Sequence, residues 1–80
     1  MDVKIGNKDL MTYVGFALLY LNSGENVVLK ARGRSISRAV DVAEMLKRIS
    51  GVEVANIRIG TVNVSGRKLS EIEIELKASA

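Results

Sequence analysis

The sequence predicts a two-layer α/β (α+β) sandwich, βαβαββ, with two helices on one face of a four-stranded mixed sheet. Three observations predict it. Two apolar-rich stretches of helical length alternate with short β-branched runs; the last two runs alternate, the first of them with one irregularity; and turn signals fall at Gly6-Asn7, Ser23-Gly24, Gly51 and Ser65-Gly66. A chain of 80 residues is sized for one domain, residues 1–80, with a core that covers about 60% of the surface exposed on unfolding.

Val3-Lys4-Ile5 alternates and stops at Gly6-Asn7, a short first strand. Asp9 then offers an N-cap, and Leu10 to Leu21 reads as a helix ending near Asn22-Ser23-Gly24. Met11, Val14, Leu18 and Leu21 form one stripe, while Phe16, Leu19 and Tyr20 occupy other faces. A helix apolar nearly all round needs cover on more than one side, which predicts a dimer. Asn26 to Arg32 is the second strand, with Val27, Leu29 and Ala31 on one face and Val28, Lys30 and Arg32 on the other. The second helix runs from Ser35 to Ser50, closed by Gly51 and cored by Ile36, Ala39, Val40, Ala43 and Leu46. Val42, Met45 and Ile49 widen its apolar face, and Glu44 and Arg48 sit one turn apart. Val52 to Val64 is a third strand with an irregularity at Ala55-Asn56. After the Ser65-Gly66 turn, Arg67 to Lys77 is the fourth, with Ile72, Ile74 and Leu76 inside and Glu71, Glu73 and Glu75 outside. Ala78-Ser79-Ala80 is expected to fray.

Composition narrows the chemistry. There is no cysteine and no histidine, which removes disulfides, thiolate and imidazole catalysis and the usual zinc sites. No metal cluster or acid–base pair stands in a recognisable frame, so neither an enzyme nor a cofactor is expected. Leu10–Leu21 is well short of the ~20 residues that span a bilayer, and Asp2 and Asp9 do not suit a signal peptide. A cytoplasmic protein without membrane partners is expected. Net charge is +3, from 12 basic and 9 acidic residues. Lys30, Arg32, Arg34 and Arg38 lie in a segment without acids, as do Arg58, Arg67 and Lys68. Such segregation predicts one basic and one acidic surface.

The basic residues concentrate at Arg32-Gly33-Arg34-Ser35. Gly33 can take a backbone conformation closed to other residues, Ser35 can cap the helix, and the arginines can fork onto phosphate oxygens at a helix N-terminus. Arg34 and Arg38 share a face if one helix holds both. The same residues also suit an ordinary strand-to-helix turn with solvated charges, and the spacing of a Walker loop is missing. Arg67 and Lys68, past the hairpin tip, either reach toward a groove or backbone or keep a turn soluble. Glu71, Glu73 and Glu75 read as a solvated strand face rather than a cation site. With one Phe and two Tyr, stacking of unpaired bases is poorly supplied.

The run Lys30-Ala31-Arg32-Gly33-Arg34-Ser35-Ile36-Ser37-Arg38-Ala39-Val40-Asp41 resembles the signature of the Alba family, the small basic chromatin proteins of archaea. Ile5-Gly6-Asn7-Lys8, Met11-Thr12-Tyr13-Val14, Asn56-Ile57-Arg58-Ile59-Gly60 and Ser70-Glu71-Ile72-Glu73-Ile74 follow in the family's order, so the resemblance covers essentially the whole chain. It implies a fold like the C-terminal domain of a bacterial translation initiation factor. It also implies a homodimer, or a heterodimer with a paralogue, that binds double-stranded DNA and RNA with little sequence preference and organises the chromosome. An RNA-stabilising or ribonucleoprotein role and, from another class, a dimeric module for an anionic metabolite are the alternatives. The implied binding residues are Asn7, Lys8, Arg32, Gly33, Arg34, Ser35, Arg38, Arg67 and Lys68. Three positions depart from the family's pattern. Asn7-Lys8-Asp9 replaces two lysines and a proline, which implies weaker binding and no acetylation at Asn7. The hairpin Asn63–Lys68 is short. No aromatic stands near Ile49-Ser50, where the family makes dimer–dimer contacts.

Overall fold

A computed structural model describes residues 1–78. The elements are β1 (Asp2–Lys4), α1 (Leu10–Asn22), β2 (Val27–Arg32), a 3-10 turn (Gly33–Ser35), α2 (Ile36–Ser50), β3 (Glu53–Val64) and β4 (Arg67–Lys77). This is the predicted order. The sheet runs β1-β2-β4-β3, with β1 parallel to β2 and β4 antiparallel to both neighbours. The parallel pair needs a crossover, and α1 supplies it. Ser65 and Gly66 both have positive φ, as the tight turn between β3 and β4 requires. The register shifts between Val54 and Asn56, at the expected irregularity.

Val27, Leu29 and Ala31 of β2 and Ile72, Ile74 and Leu76 of β4 form the buried side of the sheet. Against them pack Val14, Ala17 and Leu21 of α1 and Ala39, Val42, Ala43 and Leu46 of α2. Both helices are rotated from the faces the sequence suggested. In α1, Tyr13 and Ala17 are buried, whereas Met11 is 54% exposed and Leu18 only partly covered. In α2, Val42 is fully buried and Val40 is 41% exposed. Residues 36, 39, 40 and 43 and residues 39, 42, 43 and 46 satisfy the same helical period, and packing on the sheet selects the second set.

The helix starts differ from expectation as well. Asp9 and Ser35 stand at the N-cap positions, but neither side chain bonds a first-turn amide. Backbone takes over at α1, where the Thr12 N–H donates to the Asp9 carbonyl at 3.0 Å. Gly51 closes α2 as predicted, left-handed at φ 70° with its N–H on the Lys47 carbonyl. Glu44 and Arg48 do not come within ion-pair distance. The fraying expected at Ser79 and Ala80 falls outside the described residues; Ala78 is tied by its N–H to Asn26 Oδ1 at 2.9 Å.

β2 pairs with β4 only as far as Arg32 opposite Glu71, while β3 and β4 stay paired out to Val64 opposite Arg67. Thr61–Val64 and Arg67–Ser70 therefore leave the sheet as a two-stranded arm, about 13 Å long at ~3.3 Å per residue. The arm is longer than the Asn63–Lys68 stretch the sequence suggested, and it stretches the molecule to 42 × 24 × 18 Å.

The rotation of α1 is testable by urea unfolding. Val14→Ala, at a site 1% exposed, is expected to cost about 2 kcal/mol, and Met11→Ala less than about 0.5 kcal/mol. Equal losses would restore the face read from sequence.

Candidate functional site

β2 delivers Arg32 to the sheet's end, exposed, where the chain must leave for α2. Gly33 makes that exit at φ +53°, and Arg34 and Ser35 complete one turn of 3-10 helix. A Cβ on Gly33 would lie 3.8 Å from Leu69 Cδ2, an ordinary contact, so the backbone angle rather than crowding calls for glycine. Leu69 belongs to the arm. Turn and arm meet in a cleft of about 500 Å³ lined by Arg32, Gly33, Arg34 and Ser35 on one side and Val64, Ser65, Arg67 and Leu69 on the other. Two segments far apart in sequence thus share one cavity. Lys68 is exposed on the arm beside Arg67 but does not line the cleft, as strand alternation dictates.

Among the described residues, Arg32, Arg34, Arg67 and Lys68 have no carboxylate within 4.0 Å. Their donors are free for an external anion. The Ser35 side chain bonds no first-turn amide of α2, and the Ile36 N–H donates to the Gly33 carbonyl, so it is the helix dipole that adds to the same field.

Asn7 and Lys8 reach this region by a route that the sequence did not disclose. The buried phenol of Tyr13 accepts hydrogen bonds from the Gly6 N–H at 2.8 Å and the Lys8 N–H at 3.1 Å. Arg38, in the first turn of α2, donates from its guanidinium to the Lys8 carbonyl. The loop is therefore held from both helices, with the Asn7 and Lys8 side chains exposed. Arg38 spends one arm of its fork on this tether and is half-buried, so it positions the loop as well as carrying charge. Arg34 precedes α2, and the pair Arg34–Arg38 does not share the face of one helix. Tyr13 is the functional residue that sequence reasoning missed. The available signal was a tyrosine at a buried helical position, since a buried phenol needs a polar partner.

The basic residues also divide differently than expected. On the sheet face away from the helices, Lys30 Nζ lies 3.1 Å from Asp2 and 3.7 Å from Glu73, and Glu73 accepts from Arg58 at 2.7 Å. One chain of ion pairs so crosses all four strands. Hydrogen bonding to Asp2, helped by both carboxylates' charge, raises the Lys30 pKa above the ordinary lysine value. A raised lysine pKa means that this contribution is intact below the ordinary lysine value of 10.5 and lost as pH climbs through the higher folded-state value. Instead of one basic and one acidic surface, this face is mixed and self-neutralised, and Lys30 and Arg58 drop out of the free cations. Among the described residues no three acids are grouped to hold a cation.

Comparison with known proteins places these features in context. A family model described as Alba matches residues 1–61. A protein named DNA/RNA-binding protein Alba 1 from Archaeoglobus fulgidus is 44% identical over 82 residues, covering 94% of this chain and 92% of that protein. A DNA/RNA-binding protein Alba from Methanocella arvoryzae is 43% identical over 81 residues, covering 91% and 84%. Among solved structures, Alba from Thermoplasma volcanium superposes with a TM-score of 0.92 at 32% identity, covering 96% of this chain and 99% of that one.

The loop tether gives a direct test. Tyr13→Phe leaves the Gly6 and Lys8 amides without an acceptor, at an expected cost of about 1–3 kcal/mol and a fall in Tm of about 10 °C. Hydrogen exchange at those two amides should accelerate more than at the sheet; unchanged exchange there would mean that the phenol does not hold the loop.

Proposed function

The chain belongs to the Alba family, and on that premise we propose that it binds double-stranded DNA and RNA through phosphate contacts, without sequence preference, and organises the chromosome. The observation that carries this reading is the meeting of Arg32, Arg34 and Arg67 in one cleft with no carboxylate within 4.0 Å of them among the described residues. Such a set suits a row of phosphates. Guanidinium forks fit phosphate oxygens, the dipole of α2 favours an anion at its start, and Lys8 and Lys68 add further charge. Asn7 contributes a neutral amide rather than a cation, which limits the charge offered. Contacts of this kind hold the protein on the polymer but read no bases, so binding is sequence-neutral.

The functional unit in this reading is a homodimer, which doubles the cleft and the arm. Supporting it are the apolar side chains left uncovered on α2 and β3: Val40 and Ile49, and Ile57 and Ile59 at 55% and 82% exposure. β3 is also a sheet edge with unpaired backbone groups. A heterodimer with a paralogue would use the same surface. Binding in the cytoplasm, at the nucleoid, follows from the ligand. No helix among the described residues is long and apolar enough to cross a membrane.

Two measurements test the reading. Phosphate binding by counterion release predicts a straight-line fall of log K with log salt, of slope about −0.9 per phosphate neutralised. Arg32→Ala with Arg34→Ala should flatten that slope by about 2 per subunit and weaken unrelated duplexes equally. Loss confined to one sequence, or binding of a free nucleotide but of no duplex, would replace a polymer with a specific site or a metabolite. Sedimentation tests the dimer: Ile57→Asp with Ile59→Asp should yield a folded monomer, and an unchanged mass would place the interface elsewhere.

A further inference from the structure

The three aromatic residues of this chain, few as they are, line one groove. It runs between α1 and β1 with its following loop, encloses about 480 Å³, and lies beside the tethered Asn7 and Lys8. Tyr13 is buried and belongs to the floor, Tyr20 is half-buried, and Phe16 is 45% exposed at the lip. The Lys8 ammonium sits 5.9 Å from the centroid of the Phe16 ring, at the outer limit of a cation–π contact (~6 Å). Asp2 also lines the groove, and its carboxylate is occupied by Lys30 at 3.1 Å, which lessens its repulsion of an anion.

A ligand matching this groove needs a flat apolar face for Phe16, a hydrogen-bonding edge for the Asn7 amide, which both donates and accepts, and an anionic group within reach of Lys8. One nucleotide carries all three. Bases inside a duplex have both faces stacked and are not available, so the matching nucleotide is an unpaired one. The groove also continues directly from the loop that bears Asn7 and Lys8, so a strand held there by its phosphates passes over Phe16.

We propose that this groove is a stacking subsite for one unpaired nucleobase of a single-stranded nucleic acid. Phe16 provides the platform, Asn7 faces the base edge, and Lys8 leaves the ring to hold the adjoining phosphate. The subsite rests on the phosphate-binding reading above and adds to it a preference for loops, ends and open strands. It gives a use to an aromatic side chain that packing leaves exposed.

Fluorescence anisotropy on the full chain, with a short single strand and a duplex of the same length, tests it. Phe16→Leu keeps the apolar bulk but removes the ring. Single-strand affinity should fall about tenfold while duplex affinity stays within about twofold, and Phe16→Trp should retain the single-strand affinity. A fluorescent aminopurine in the strand should be quenched by the native protein and by Phe16→Trp, but not by Phe16→Leu. Equal loss on both nucleic acids, no loss on the single strand, or dissociation of an oligomer by Phe16→Leu would each overturn the subsite, the last by making Phe16 a subunit contact. Native protein that binds the duplex with the expected salt slope while Phe16→Leu has no effect removes the subsite alone. Native protein that binds neither removes the phosphate reading with it.

Discussion

The register of β2 against β4 sets both the core and the site. Leu29 opposite Ile74 and Ala31 opposite Ile72 place the apolar residues of both strands beneath the helices. A slip of one residue would turn all of them outward. The same register ends at Arg32 opposite Glu71, where Gly33 turns the chain away. β4 has no β2 partner beyond that point, so it continues only with β3, as the arm. The cleft is the space between the departing turn and the continuing arm. The core and the site are thus two ends of one pairing, and the arginines hold their places because the apolar side chains fix theirs.

That pairing also sorts the charges. Strand alternation puts Lys30, Glu73 and Arg58 on the open face in adjacent strands, where they neutralise each other together with Asp2. Exposed ion pairs of this kind add little to stability. Their effect is on the field, because they cancel two cations that would otherwise attract an anion to the wrong side of the sheet. Arg32, Arg34, Arg67 and Lys68 lie past the end of that network and stay unpaired among the described residues. A net charge of +3 is modest, yet three arginines meet in one cleft, while Lys47 and Arg48 stand singly in the last turn of α2 and Lys77 at the end of β4. Tyr13 and Arg38 bring the loop of Asn7 and Lys8 to the same end by hydrogen bonds rather than by charge.

Much of this was legible in the residues. The alternation of Ile72, Ile74 and Leu76 with glutamates specified β4 and its buried face, since a period of two leaves no other choice. Gly51, Ser65-Gly66 and the irregularity at Ala55-Asn56 were readable for the same local reason. The helix faces were less so: Val40 and Val42 both fit a stripe through Ala39, Ala43 and Leu46, and only the sheet decides between them. Asp9 and Ser35 have the right chemistry for caps, but the backbone route into each helix leaves their side chains unused. Arg32, Gly33, Arg34 and Ser35 stood out as a turn, whereas their meeting with Arg67 depends on a strand pairing that no local pattern records. The gathering of Tyr13, Phe16 and Tyr20 beside Lys8 is of the same kind. Counting aromatics suggested too few for stacking; their placement in one groove is a tertiary fact.

In the proposed function one end of the molecule, and not its open sheet face, meets nucleic acid. Titration of the isotopically labelled protein with a short duplex, read by backbone amide chemical shifts, tests it most directly. The largest changes are expected on Asn7 and Lys8, on Arg32 through Arg38, and on the arm from Ser65 to Leu69. Changes centred instead on Lys30, Arg58 and Glu73 would place the polymer on the neutralised face and contradict it.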